Sequence, residues 1–265
     1  MKLSLVLNSF KYLLALNTFV IITLSLISTY VCVHFDIIID MPTGLIGIAI
    51  VFPIVFSINA AYSRREQALN CLATLKSCSA GLIAGHKDWV SNDKYDHFER
   101  SHMLVSELLN TITVYLTSAD RDYHKYHNIY RYFSQISLSN EELRAAGITG
   151  SELSRLNQYL QIMITSFEQM NNIAHYRTPL TLRAYTLVFL HIFPILYGPY
   201  FAFLTHNYFF YSGFIVSLVY STVLVSLNNL QDELEDPYDG VGIDDIDFTN
   251  QQEYLNVFKT NLIDK

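Results

Sequence analysis

Charge is scarce in this sequence, and over long stretches it is absent. Asp, Glu, Lys and Arg make up 15% of the residues, against 51% hydrophobic. Residues 12–33, 41–61 and 207–231 contain none of the four, and in 184–205 the one group that titrates near neutrality is His191. Runs of this length and apolarity exclude an ordinary soluble domain, which needs a charged face on each surface element. Cysteine is also sparse. The three present, Cys32, Cys71 and Cys78, form no disulfide framework and no zinc spacing. Cys71 and Cys78 stand about 10 Å apart along a helix, too far to bridge. There is no GxSxG, no HExxH, no glycine-rich phosphate loop and no pair of carboxylates inside the apolar runs, so an enzyme reading has no motif to stand on. There is no fixed-period repeat either. Without symmetry between the two halves, a secondary transporter is disfavoured.

What is present are four apolar runs, each about 20 residues or longer, enough at about 1.5 Å per residue to cross a hydrocarbon core of roughly 30 Å. The first run is too long in its apolar part for a signal peptide and no small-residue cleavage site follows it, so it is expected to be a retained span. Lys2 and Lys11 precede it; the loop 34–40 after it carries Asp36 and Asp40 and no Lys or Arg. Segment 62–182 holds twelve basic and twelve acidic residues, and the short 205–207 stretch holds none. The positive-inside rule then puts both termini and segment 62–182 in the cytoplasm of a plasma or bacterial inner membrane. The division reads as a first helix pair over 1–61, a cytoplasmic helical domain over 62–182, a second helix pair over 183–231 and a tail over 232–265. Residues 231–265 carry ten acids against two lysines. That balance excludes a polybasic lipid-binding tail and counts against nucleic acid as a partner.

Segment 62–182 has helical periodicity. Leu104, Leu108, Ile112 and Leu116 recur every fourth residue. Leu153, Leu156, Leu160, Met163, Phe167 and Met170 alternate spacings of three and four, a seam that wants a partner helix. The partner is another helix of this chain or a second subunit. Asn140, followed by Glu141 and Glu142, reads as a helix N-cap, and the 147–150 glycines as a break before the next helix. Thr178-Pro179 marks re-entry into the membrane, and residues 205–207 a tight external turn between the last two spans.

In the second run, Ile48, Phe52 and Phe56 fall on one narrow helical face, with Gly44, Gly47 and Ala49 as small residues and Pro53 at mid-depth. Such a stripe either packs or faces lipid, or it forms a hydrophobic constriction. Ser57, Asn59, Tyr62 and Ser63 then lead towards Arg64 and Arg65. A dry ring opening into a polar, basic mouth suits a constriction that gates by dewetting, with ring edges and basic groups favouring anions.

Three stretches resemble the bestrophin family of ion channels, in its bacterial branch. Residues 44–69, GLIGIAIVFPIVFSINAAYSRREQAL, look like the family's pore helix and the FRNNxAYxRWWEAR-type motif after it, with Phe56, Asn59, Ala61, Tyr62, Arg64 and Ala68 matching. Residues 178–201 are similar to the proline-containing entry to the third span, and residues 230–246 to an acidic segment around Glu235-Asp236-Pro237-Tyr238. With the four-span order, the resemblance covers nearly the whole chain. It departs at Val55 for Gly, Ser57 for Arg and Arg65-Glu66 for a Trp pair. It implies an all-α membrane protein. Four transmembrane helices with long cytoplasmic helical extensions would assemble as a homopentamer around a central pore. Its partners would be other copies of itself, the lipid bilayer and small ions. The neck would be Ile48, Phe52 and Phe56, and the mouth Ser57, Asn59, Tyr62 and Arg64. The cargo would be chloride or another small anion, with monovalent cations the alternative that some bacterial relatives offer.

The resemblance also raises calcium, because animal members clasp it with the acidic segment. Here eight acids lie between residues 232 and 247, with Asp236, Asp244 and Asp245 as candidate ligands. The other reading is a solvated acidic turn that caps helices and pairs with basic residues of a neighbouring subunit. His124 and His127 share a helix face near Asp122 and read as surface groups rather than metal ligands. His191, inside a span, is expected to be neutral and hydrogen-bonded to a neighbouring helix.

Overall fold

The computed structural model describes residues 16–90, 94–177, 179–240, 242, 244–248 and 251–260, and these are helical apart from short connections. The helices are α1 (Leu16–His34), α2 (Thr43–Asp88), α3 (Lys94–Thr117), α4 (Tyr123–Ala145), α5 (Gly150–His175), α6 (Leu180–Leu196), α7 (Gly198–Asn207), α8 (Ser212–Glu235) and α9 (Gln251–Thr260). Four stretches are long and apolar enough to cross a membrane: α1, the α2 stretch from Ile46, α6 with α7, and α8. They mark an integral membrane protein. α2 has 46 residues, a length of roughly 70 Å, more than twice the hydrocarbon thickness.

The chain divides into two compact units, Met1–Arg64 with Arg177–Glu235, and Arg65–Tyr176 with Asp236–Lys265. In the first unit α1 packs on α6, α7 and α8. Its buried residues are Thr18, Ser25, Thr29 and Cys32, while Leu16, Phe19, Val20 and Ile27 are exposed. Pro199 has no N–H to offer the Ile195 carbonyl one turn back. Ser28 Oγ donates to that carbonyl at 2.7 Å, and Ser25 Oγ donates to Pro194 O at 2.7 Å. The long third apolar run is therefore two helices joined at Tyr197, stitched to α1 by hydroxyls. α7 runs through Asn207, so the expected turn at 205–207 lies instead at 208–211, where Tyr208, Phe209, Phe210 and Tyr211 are exposed.

The second unit has a core of conventional kind. Leu108, Ile112, Leu116, Met163, Phe167 and Met170 are buried together with Leu75 and Leu82 of α2. Leu153 and Leu156 are buried with Val90, Leu143 and Ile148. The seam on α5 is thus filled from within the chain. Each such side chain contributes about 1.5–3 kcal/mol of burial.

Asn140 is not a cap. It sits inside α4, fully buried, receiving a hydrogen bond from His86 Nε2 at 2.9 Å and donating to Asn157 Oδ1 at 2.9 Å. A buried amide joining three helices outweighs the local preference of Asn for a helix start. A capping box stands instead at Thr149, just before α5: its hydroxyl accepts the Glu152 N–H while Glu152 Oε2 accepts the Thr149 N–H. Gly147, at φ +86°, makes the break before it.

Candidate functional site

The exposed face of α2 is the first candidate. Ile48, Phe52 and Phe56 are 65%, 62% and 57% exposed, whereas Ile50 and Ile54, two residues from their neighbours on the stripe, are 1% exposed. The difference follows from helical phase. Successive residues turn by about 100°, so 48, 52 and 56 form a ridge and 50 and 54 the opposite side. That opposite side packs with Leu190, Tyr197, Phe201 and Leu224 in the first unit. Phe52 and Phe56 meet edge to face with ring centroids 4.9 Å apart, an arrangement that aromatic pairs prefer. The helix continues through Pro53.

Below the stripe the same ridge turns polar. Asn59, Tyr62 and Ser63 are exposed. Ser57 does not join them: it is fully buried, on the side of Ala61 and Ala68. One residue beyond Phe56 the helix has rotated away from the ridge, so adjacency in sequence did not mean adjacency on the surface. Arg64, seven residues after Ser57, shares its side and is half-buried. The expected mouth is thus split, with Asn59 and Tyr62 on or beside the ridge and Ser57 and Arg64 behind it. Arg65 forms an ion pair with Glu66 at 2.9 Å. In the second unit the ridge register recurs at Gln67, Asn70 and Thr74. With Gln158, Gln161 and Thr165 of α5 these line a groove of about 490 Å³ without a charged side chain. The uncharged amides were not singled out from the sequence; the steps of three and four from Phe56 through Asn59, Ser63, Gln67, Asn70 and Thr74 were the available signal.

The acidic segment is the second candidate, and its three proposed calcium ligands are not brought together as a shell. Asp236 is buried against Arg121, whose Nη2 lies 3.1 Å from Oδ1 and 3.0 Å from Oδ2. Asp244 is exposed, and its backbone carbonyl accepts from Arg65 Nε at 2.6 Å. Asp245 Oδ2 accepts the Gly242 N–H at 3.1 Å. Burial, and then its hydrogen bond with Asp239, push the Asp245 carboxyl up to about 6. Among the described residues no group of three or more His, Cys, Asp or Glu is placed to hold a metal ion. The residues do not fit calcium. The acids pair with arginines of their own chain: Arg183 reaches Asp232 and Glu235, each at 2.9 Å, in the first unit.

His124 and His127 are exposed at the start of α4, where Tyr123 stacks on His127. His191 Nδ1 bonds Leu187 O of its own helix at 2.8 Å rather than a neighbouring helix.

No family model matches the chain, and no curated protein sequence matches it. Solved structures do match. A bacterial bestrophin homologue from Klebsiella pneumoniae, phased on zinc, is 18% identical, covers 94% of this chain and 96% of its own, and superposes with a TM-score of 0.77. Two point variants of a bestrophin homologue from the same organism are 17% and 16% identical. Each covers 94% of this chain, with 98% and 97% of their own lengths and TM-scores of 0.78 and 0.80. At such identities the likeness is one of architecture, and the chain has the fold of the bacterial bestrophin homologues.

Proposed function

We propose that this chain is the protomer of a homopentameric channel for small monovalent ions, with anions such as chloride as the preferred cargo. Ile48, Phe52 and Phe56 of each subunit form its dry neck. Asn59 and Tyr62 begin the wet mouth, backed by Ser57 and Arg64. The observation that carries this reading is the exposed stripe itself. Three bulky apolar side chains stand out from a helix whose other face is packed, and the same ridge passes directly into uncharged hydrogen-bonding groups. A ring of such stripes would be a hydrophobic constriction, which gates by dewetting rather than by a moving lid. The positive ring edges of Phe52 and Phe56 suit a passing anion. The bestrophin fold supports the assembly, with both termini on the cytoplasmic side of the membrane.

A monovalent-cation channel is the second reading, and one observation favours it. Arg65, which could have made the mouth positive, is neutralised by Glu66. The reversal potential of the purified protein in a planar bilayer under a salt gradient decides between them by its sign. Ala at all three neck positions is expected to enlarge or deregulate the current. A confirmed pentamer that carries no current under any salt would overturn the channel reading and leave a non-conducting membrane assembly.

A further inference from the structure

The segment that opens at Asp236 is held by guanidinium groups where a bound cation would otherwise be needed. Asp236 is buried, both its oxygens lie on Arg121 Nη2, and Oδ1 also accepts the Tyr238 N–H at 3.3 Å. Arg121 has further partners. Its Nε and Nη2 donate to Leu116 O at 3.2 and 3.0 Å, and its Nη1 donates to Ala174 O at 2.9 Å. Leu116 and Ala174 lie in the last turns of α3 and α5, where unpaired carbonyls carry partial negative charge. One planar group therefore neutralises a carboxylate and two helix ends. Further along, the Ile246 N–H donates to Pro237 O at 2.9 Å and closes the segment, and Arg65 Nε holds the Asp244 carbonyl.

We propose that Arg121 is the resident counter-cation of this acidic segment, which makes the segment a strap that closes without a divalent metal. Calcium needs six to eight oxygens. To bind here it would have to expel the guanidinium from Asp236 and strip two helix ends of their donor. Removing one member of a buried ion pair is strongly unfavourable, because the other is left buried and unpaired. Lysine would not replace Arg121, since a single ammonium cannot present a planar fork to three separate acceptors.

The test uses the full chain in detergent and reads stability and amide exchange, not current, so it is independent of the channel reading. Wild-type melting is expected to be the same in chelator and in about 1 mM calcium, since a ligand that does not bind the native state does not stabilise it. Arg121→Gln is expected to speed exchange at the Tyr238 and Ile246 amides by on the order of a hundredfold. Arg121→Gln combined with Asp236→Asn is expected to recover part of that loss, and Arg121→Lys to fall between wild type and Arg121→Gln. Calcium raising the wild-type melting temperature by several degrees would overturn the proposal, as would unchanged exchange in Arg121→Gln. Should Arg121→Gln not fold, Asp236→Asn alone decides: faster exchange at Tyr238 supports the strap, and unchanged exchange refutes it.

Discussion

Helices α1 and α5 bury opposite kinds of residue. α1, in the first unit, buries Thr18, Ser25, Thr29 and Cys32 and shows Leu, Phe, Val and Ile outward. α5, in the second, buries Leu153, Leu156, Leu160, Met163, Phe167 and Met170 and shows polar groups outward. The difference is one of solvent. In lipid an apolar side chain gains little by moving inward, so helices are joined by close approach and hydrogen bonds. Ser25 accordingly meets Ser217 at 2.9 Å, and Asn229 Nδ2 donates to Thr18 Oγ1 at 3.1 Å. In water the same side chain gains by leaving the solvent, and the core is built of bulk.

Four substitutions probe this contrast, from the largest effect to the smallest. Gly213 lies where α8 touches α7; a Cβ there would fall well inside contact distance of the Phe201 carbonyl and the Thr205 hydroxyl. Backbone cannot yield as a side chain does, so Gly213→Val is expected to abolish monodisperse folded protein on size exclusion. In the second unit, Phe167→Ala leaves a cavity beneath Tyr115, Tyr126 and Phe133 and is expected to cost about 3–5 kcal/mol in denaturant unfolding. Ser28→Ala removes one donor from the Ile195 carbonyl, and a loss of about 1 kcal/mol is expected. A Ser28→Ala cost equal to that of Phe167→Ala would break the contrast.

The smallest effect is a pH dependence at Asp245. Its carboxyl titrates at about 6 in the folded chain, burial being the main cause, against about 3.9 for a free aspartate. A raised acid favours the folded state when protonated. Stability is therefore regained as pH falls through about 6 towards 4, and lost as pH rises through that window. The second unit is expected to melt slightly higher at about pH 5 than at about pH 7.5, and Asp245→Asn is expected to flatten the difference.

Much of this architecture could be read from residue order. The four spans were legible because each is a local fact of composition. The α5 seam and the Ile48–Phe52–Phe56 ridge were legible because helical periodicity is local too. Asn140 was misread because its partners, His86 and Asn157, come from other helices. Ser57 was grouped with Asn59 by neighbourhood along the chain, although helical phase sends it to the packed side. Arg121 gave no local signal at all, since its acceptors at Leu116, Ala174 and Asp236 converge only in the folded unit.

The sequence alone therefore determined that this is a four-span helical membrane protein with a bulky apolar ridge on its second span. Both properties follow from hydropathy and a repeat of 3.6 residues, which need no distant partner. Tertiary structure decided which side of α2 is covered, which buried amides find each other, and that Asp236 is paired with Arg121. Those outcomes depend on the desolvation and pairing of groups far apart in the chain, and no local pattern encodes them.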